Sequence, residues 1–352
     1  MNAPPFNTPT FNALDSLQLE QYDLSALDAP AGRSFLTLAQ EVVRGELDLS
    51  FNGILTAGLE IVFAEFFANG AIIRQLLLVA ILGALLRCLT QAFSHKSAGE
   101  TGFYVTYLMA VVLAISSFQV SVSILTSLVA TVNAMMMAAT PVMIALMVMG
   151  GNFTHAAGFH PLLFFALQLI SGFITAVFIP LVLAAVALDI VNQLNSDNKI
   201  DKLAALVRKL ADYALRAVVG VFMFVLTLQR IATPILNNAA LRTTRSAAGA
   251  IPVVGNALTA AMDTVLVFSQ TARSGVLVAL VLVLAIALLT PLIKLFALSW
   301  VYRIAAAIMQ PITDERLTTC MDTAGRAMGQ LFSAGVMLGV MCVYSVVILL
   351  SF

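Results

Sequence analysis

Ionisable side chains are scarce in this chain of 352 residues: 18 are Lys or Arg and 18 are Asp or Glu, 10% of the whole. Soluble globular domains carry about 25% charged residues. So few charges cannot cover a protein of this size against water, and 61% of its residues are hydrophobic. A water-soluble globule is excluded. So is a disordered chain, which needs low hydrophobicity and high net charge. There is no basic tract of the kind that grips nucleic acid. Three cysteines, Cys88, Cys320 and Cys342, lie far apart and form no CxxC pair. That excludes a disulfide framework and leaves them as small buried hydrophobes. Also missing are a nucleophile–base arrangement, a P-loop, a Gly-rich nucleotide fingerprint and paired carboxylates. The sequence therefore argues against an enzyme and implies no cofactor.

What is present is long apolar runs. A bilayer core of about 30 Å is crossed by about 20 helical residues. Residues 71–93 form a first candidate span, with Arg74 and Arg87 near its ends. Residues Thr101 to Leu188 then contain no Asp, Glu, Lys or Arg, with apolar runs at 103–122, 134–149 and 161–188. Further candidates are 213–235, 275–299 and 327–352. The runs are continuous and far longer than the roughly 10-residue alternating strands of outer-membrane barrels. The expected fold is all-α: a polytopic helical membrane protein of six to eight transmembrane helices, with amphipathic interfacial helices and room for re-entrant segments.

Charge asymmetry suggests an orientation. Residues 1–70 hold nine acids against two bases, and the remainder nine acids against sixteen bases. Lys and Arg near span ends mark the cytoplasmic side. They follow span one, cluster at 192–216, and recur at Arg303, Arg316 and Arg326. Residues 1–70, the 236–274 segment and the C-terminus then lie outside, although 236–274 carries Arg242, Arg245 and Arg273. The scheme requires an even number of crossings between 101 and 188. Two fit best, with 125–149 partly buried or re-entrant, giving six in all. The opening MNAPPFNTPT has neither a basic n-region nor an apolar h-region. Either span one exports its own N-terminal flank, or the start lies upstream.

Outside the spans, residues 1–34 lack a sustained period and read as poorly ordered. Residues 35–70 read as acidic amphipathic helices, with Phe51, Ile54, Leu55, Leu59, Val62 and Phe66 on one stripe. Residues 199–214 form another amphipathic pattern. Its bases Lys199, Lys202, Arg208 and Lys209 are candidates for contact with cytoplasmic headgroups or a partner, and Ser196, Asp197 and Asn198 can cap its start. His155 and His160 are five apart with no carboxylate near, which reads as a loop feeding Pro161 at the first turn of a helix. A Met cluster (Met135, Met136, Met137, Met143, Met147, Met149) has no interleaved Cys or His and reads as core packing. Pro141 and Pro180 are candidate helix breaks or kinks.

Residues 241–266 are polar at their start, dense in Gly, Ala and Pro, and place Asp263 in an apolar run. Charges there are costly in lipid and should face protein, water or each other. Arg242, Arg245, Pro252, Gly255 and Asp263 are thus candidate pore-lining or packing residues, in a re-entrant segment or a structured surface loop. Gln310 and Pro311 end a helix in a similar polar break and join that set.

Several ordered blocks carry a resemblance to a known family. They are ETGFYVTYLMAVVLAISSF from Glu100, ATPVMIALM from Ala139, FHPLLFF from Phe159 and KIDKLAALVRK from Lys199. RTTRSAAGAIPVVGNALTAAMDTV from Arg242 and AAAIMQPITDERLTTC from Ala305 complete the set. Over about residues 35–352 the chain resembles the stage III sporulation protein AE family of endospore-forming Firmicutes. The resemblance implies a multi-pass protein of the mother-cell membrane around the forespore. It implies partners among the other stage III sporulation A operon proteins, including a cytoplasmic ATPase, and stage II sporulation protein Q. The expected role is to form or scaffold a passage between the two cells, as a single copy or a homo-oligomer, without chemistry of its own. Two other readings compete: a stand-alone secondary transporter binding its substrate near Pro141, Pro180 and Asp263, and a purely structural anchor for the complex.

Overall fold

The computed structural model describes residues 23–31, 34–44, 60, 63–65, 67–68, 70–92, 96–149, 160–194, 200–248 and 255–351. Side chains are described over a smaller set that omits 86–103 and 229–274. The described residues form helices and turns, with no strand among them. In chain order the helices are α1 (Ser25–Ala31), α2 (Phe35–Arg44), α3 (Gly70–Ala92), α4 (Lys96–Met149) and α5 (His160–Phe173). A π-helical turn, Ile174–Phe178, leads into α6 (Ile179–Leu194), followed by α7 (Asp201–Ala248), α8 (Gly255–Met309) and α9 (Glu315–Ser351).

Among the described residues, six helical stretches are long and apolar enough to cross a membrane: 63–85, 104–148, 162–193, 201–228, 275–309 and 315–348. The chain is a multi-pass membrane protein, as the apolar runs require. Two boundaries differ from the sequence reading. The runs at 103–122 and 134–149 belong to one continuous helix, α4, of 54 residues. At 1.5 Å per residue it is about 80 Å long, well beyond a bilayer's ~45 Å. Its second half is partly buried, the first of the two alternatives, with Val132, Met135, Met136, Met143 and Met147 in the core. Likewise, 201–214 and 213–235 are parts of the single helix α7.

Hydroxyls explain why polar residues do not break α4. Ser121 donates to the Ser117 carbonyl and Thr126 to the Val122 carbonyl, each within its own helix. Pro141 lies inside the helix and has no N–H to donate. Just before it, the Thr140 hydroxyl donates to the Met136 carbonyl at 2.7 Å. Side chains of this kind let a lipid-embedded helix tolerate proline.

Pro180 has a different consequence. In an α-helix its ring would clash with the carbonyl of residue 176. Immediately before it the hydrogen bonding widens to the π pattern, and Ile179 N–H bonds to the Ile174 carbonyl, five residues back. Thr175 donates to the carbonyls of Ser171 and Gly172, both at 3.1 Å, one turn before the widened stretch. Pro161 sits in the first turn of α5, where a missing N–H costs nothing.

At the N-terminus, α1 falls within the stretch that reads as unordered in sequence. Asp23 accepts from Ser25 N–H, and Ser25 holds its carboxyl below the usual carboxylate range. Asp28 accepts from Phe35 N–H at 2.6 Å and joins α1 to α2. Leu27, Phe35, Leu38 and Ala39 are buried in the common core, where both helices pack on α8. The rest of the 45–69 stripe lies largely outside the described residues.

Candidate functional site: a polar clamp at the basic end of the bundle

α9 runs through the middle of the bundle, packed on α8, α4 and α6. Glycines allow this. A methyl at Gly335 would come within 3.0 Å of Leu292 and 3.1 Å of Leu128, and one at Gly339 within 3.1 Å of Leu288. Nearer the start of α9 the fit is tighter. A methyl at Gly325 would lie 3.0 Å from the Ser299 carbonyl and 2.9 Å from Arg303 Cγ. One at Gly329 would lie 2.9 Å from Arg303 Nη2. The pairs 325/329 and 335/339 are small-xxx-small motifs, which let helix backbones approach in a solvent where apolar side chains gain nothing by leaving lipid.

Several polar side chains that join helices gather at that same end. Ser299 of α8 donates to the Gly325 carbonyl of α9 at 2.8 Å. The buried Tyr302 hydroxyl lies 2.9 Å from the Leu113 carbonyl and 2.7 Å from the Ser117 hydroxyl, joining α8 to α4. Tyr107 of α4 donates to the Ile190 carbonyl of α6 at 2.9 Å, with Cys320 of α9 in hydrogen-bonding reach. Asp189, one turn from the end of α6, is 3.2 Å from Arg208 Nη1 of α7; the two side chains are 9% and 25% exposed. The contact is an ion pair without an aligned hydrogen bond, since Asp189 Oδ2 has none. Arg326 and Asp201 also lie close enough to act on the Asp189 charge. Gln330 of α9 donates to Asp212 of α7 at 2.7 Å, and Asn192 accepts from Ile200 N–H at the α6–α7 turn.

These contacts fix the path of the chain. They bring the starts of α4, α7 and α9 to one end together with the ends of α6 and α8. The α5–α6 rod therefore returns to the end from which α4 leaves. The gathered end carries the bases that the orientation reading rests on, Lys202, Arg208, Lys209, Arg303, Arg316 and Arg326, beside the acids Asp189, Asp201, Asp212, Asp314, Glu315 and Asp322. Its groups act by holding five helices in register, and removing one partner of a buried ion pair costs about 3–5 kcal/mol.

A family model described as stage III sporulation protein AE matches residues 33–352. The chain belongs to that family. A relative, stage III sporulation protein AE of Bacillus subtilis (strain 168), is 28% identical over 312 residues, which cover 88% of this chain and 78% of that protein. No solved structure matches the chain.

In this stage III sporulation protein AE family member the residues singled out from sequence are dispersed. Arg208 alone of the 199–209 bases enters the clamp; Lys202 and Lys209 are exposed, and Lys199 lies outside the described residues. Gln310 and Pro311 are exposed in the short α8–α9 turn, where Thr313 N–H bonds to the Met309 carbonyl and Asp314 caps α9 by accepting from Arg316 N–H. Arg242 and Arg245 lie on α7, and Gly255 and Asp263 on α8, so the backbone on both sides of 249–254 is helical where sequence allows a loop. Pro252 lies outside the described residues. Sequence reasoning passes over Asp189, Tyr107 and Tyr302, and takes Arg303 only as a marker of the cytoplasmic side. A lone acid directly after an uncharged apolar stretch was the available signal for Asp189.

Proposed function

We propose that this protein is a membrane subunit of the sporulation channel complex that joins mother cell and forespore, and that it scaffolds the passage rather than enclosing it within one copy. The observation that carries the reading is the family match over residues 33–352, on a chain whose described interior is apolar. Among the described residues the bundle centre is filled by Leu125, Leu128, Met135, Met143 and Leu331, each almost wholly buried. A passage for polar cargo then runs between subunits or partners, with the other stage III sporulation A proteins, the cytoplasmic ATPase and stage II sporulation protein Q as the neighbours. The basic end faces the mother-cell cytoplasm. Residues 242–263 form the working surface, where Arg242, Arg245 and Asp263 meet partners.

The test is a sporulating host lacking the protein, complemented with wild type, Arg245→Ala or Asp263→Ala at equal protein levels. Deletion is expected to stop exchange of a small fluorescent tracer between mother cell and forespore, and wild type to restore it. Normal exchange in the deletion strain would remove the passage reading. Normal spore yield from both variants would remove 242–263 from the mechanism.

A further inference from the structure

Arg303 differs from the other clamp groups because it has no acidic partner among the described residues. Its Nε–H is buried and finds no acceptor there. Its guanidinium lies in the groove between α8 and α9, with Nη2 over Gly329 and its carbon 6.0 Å from the ring centre of Trp300. A cation left in this position within a membrane-spanning stretch is costly unless something outside the chain satisfies it. The groove continues away from Arg303 as aromatic surface. Trp300 and Phe296 are tilted rings with centroids 5.9 Å apart, and Phe296 meets Phe332 of α9 at 5.5 Å. Trp300 is 43% exposed, and amphipathic rings of this kind sit at headgroup depth.

We infer that the α8–α9 groove holds an anionic phospholipid, with its phosphate on the Arg303 guanidinium and its acyl chain along Trp300, Phe296 and Phe332. The sequence of chemistry along the groove, cation first and aromatic surface after it, matches the order of charge and hydrocarbon in such a lipid. Arg326, next in the chain to the Gly325 against which Arg303 packs, is already paired with Asp322 at 2.7 Å, so the vacant charge belongs to Arg303. Gly329 leaves the room that the Nη2 end of the guanidinium occupies. The inference does not depend on the channel reading.

The chain contains one tryptophan, so its fluorescence reports on this groove alone. The purified full-length protein is placed in zwitterionic bilayers doped with acyl-brominated phosphatidylglycerol or acyl-brominated phosphatidylcholine. Quenching by the anionic lipid is expected at about fivefold lower mole fraction, the ratio that corresponds to one interfacial cation. Arg303→Gln should bring the two lipids together, Arg303→Lys should keep most of the preference, and Gly329→Ala, which leaves the charge but displaces it, should reduce it. Equal quenching of the wild type by both lipids overturns the proposal, as expected if the true partner is a carboxylate of another protein. Abolition of the preference by millimolar inorganic phosphate also overturns it, since the site is then one for a free anion. The wild-type comparison and the phosphate competition stand even if a variant fails to fold.

Discussion

α7 and α9 both start at the basic end and both are apolar enough to cross a bilayer, yet they are held in different ways. α9 lies in the centre, and its glycines let α8 and α4 approach its backbone. α7 lies at the edge and shows Leu203, Leu206, Leu210, Tyr213, Val221, Phe224 and Leu228 outward. Its side-chain attachments at the clamp are polar: Arg208 to Asp189 and Asp212 to Gln330. Lipid tails are as apolar as leucine, so hydrophobicity puts both helices in the membrane but does not decide which is central. Close approach and polar pairing do.

The sharpest way to break the comparison is to fill the notch in α9. Gly325→Leu forces atoms against the Ser299 carbonyl, a backbone group that cannot swing aside, and should cost more than about 4 kcal/mol. The expected result is loss of reversible unfolding in mixed micelles and little accumulated protein. Asp189→Ala comes next. It strands Arg208 and should cost about 3 kcal/mol. Pairing it with Arg208→Ala should cost less than the two separate losses, a coupling read from a double-mutant cycle. Tyr302→Phe removes one buried hydroxyl that α4 and α8 share and should lower stability by about 1 kcal/mol in the same assay. The smallest effect is expected on α7. A methyl at Gly220 meets nothing within 4 Å. Gly220→Ala should therefore raise stability by roughly 0.5–1 kcal/mol, through helix propensity alone. A loss there would mean that α7 has a close neighbour on that face.

The membrane architecture is legible in the sequence because lipid imposes few solutions: about 20 apolar residues, helical, with every backbone group satisfied. Helix lengths are less legible. Asn133 and the hydroxyls between the apolar runs of α4 look like an interruption. In the fold, however, Ser121 and Thr126 bond to their own helix, and Asn133 accepts from Ser171 of α5 at 2.9 Å. The Gly, Ala and Pro content of 241–266 suggests a long break, whereas helix runs to Ala248 and resumes at Gly255. The clamp is legible in halves. Asp189 stands out as an isolated acid, and four-residue glycine spacing marks α9 as a packing helix. Which cation reaches Asp189 depends on how α6 and α7 register across their turn, and no local pattern encodes that. Arg303 reads in the sequence only as one base among those that mark a side, because its distinction is the partner it lacks among the described residues.

The widened turn at 174–178 sets the phase of everything after it. An α-helix advances about 100° per residue, so one residue accommodated there rotates all of α6 by that amount relative to α5. In the resulting orientation Val182, Val186 and Asp189 point inward together. Excising a single residue from this turn would leave the composition and hydropathy of the segment almost unchanged. It would also swing the carboxylate of Asp189 out toward hydrocarbon and away from Arg208, so the helix would be spoiled by its angle alone.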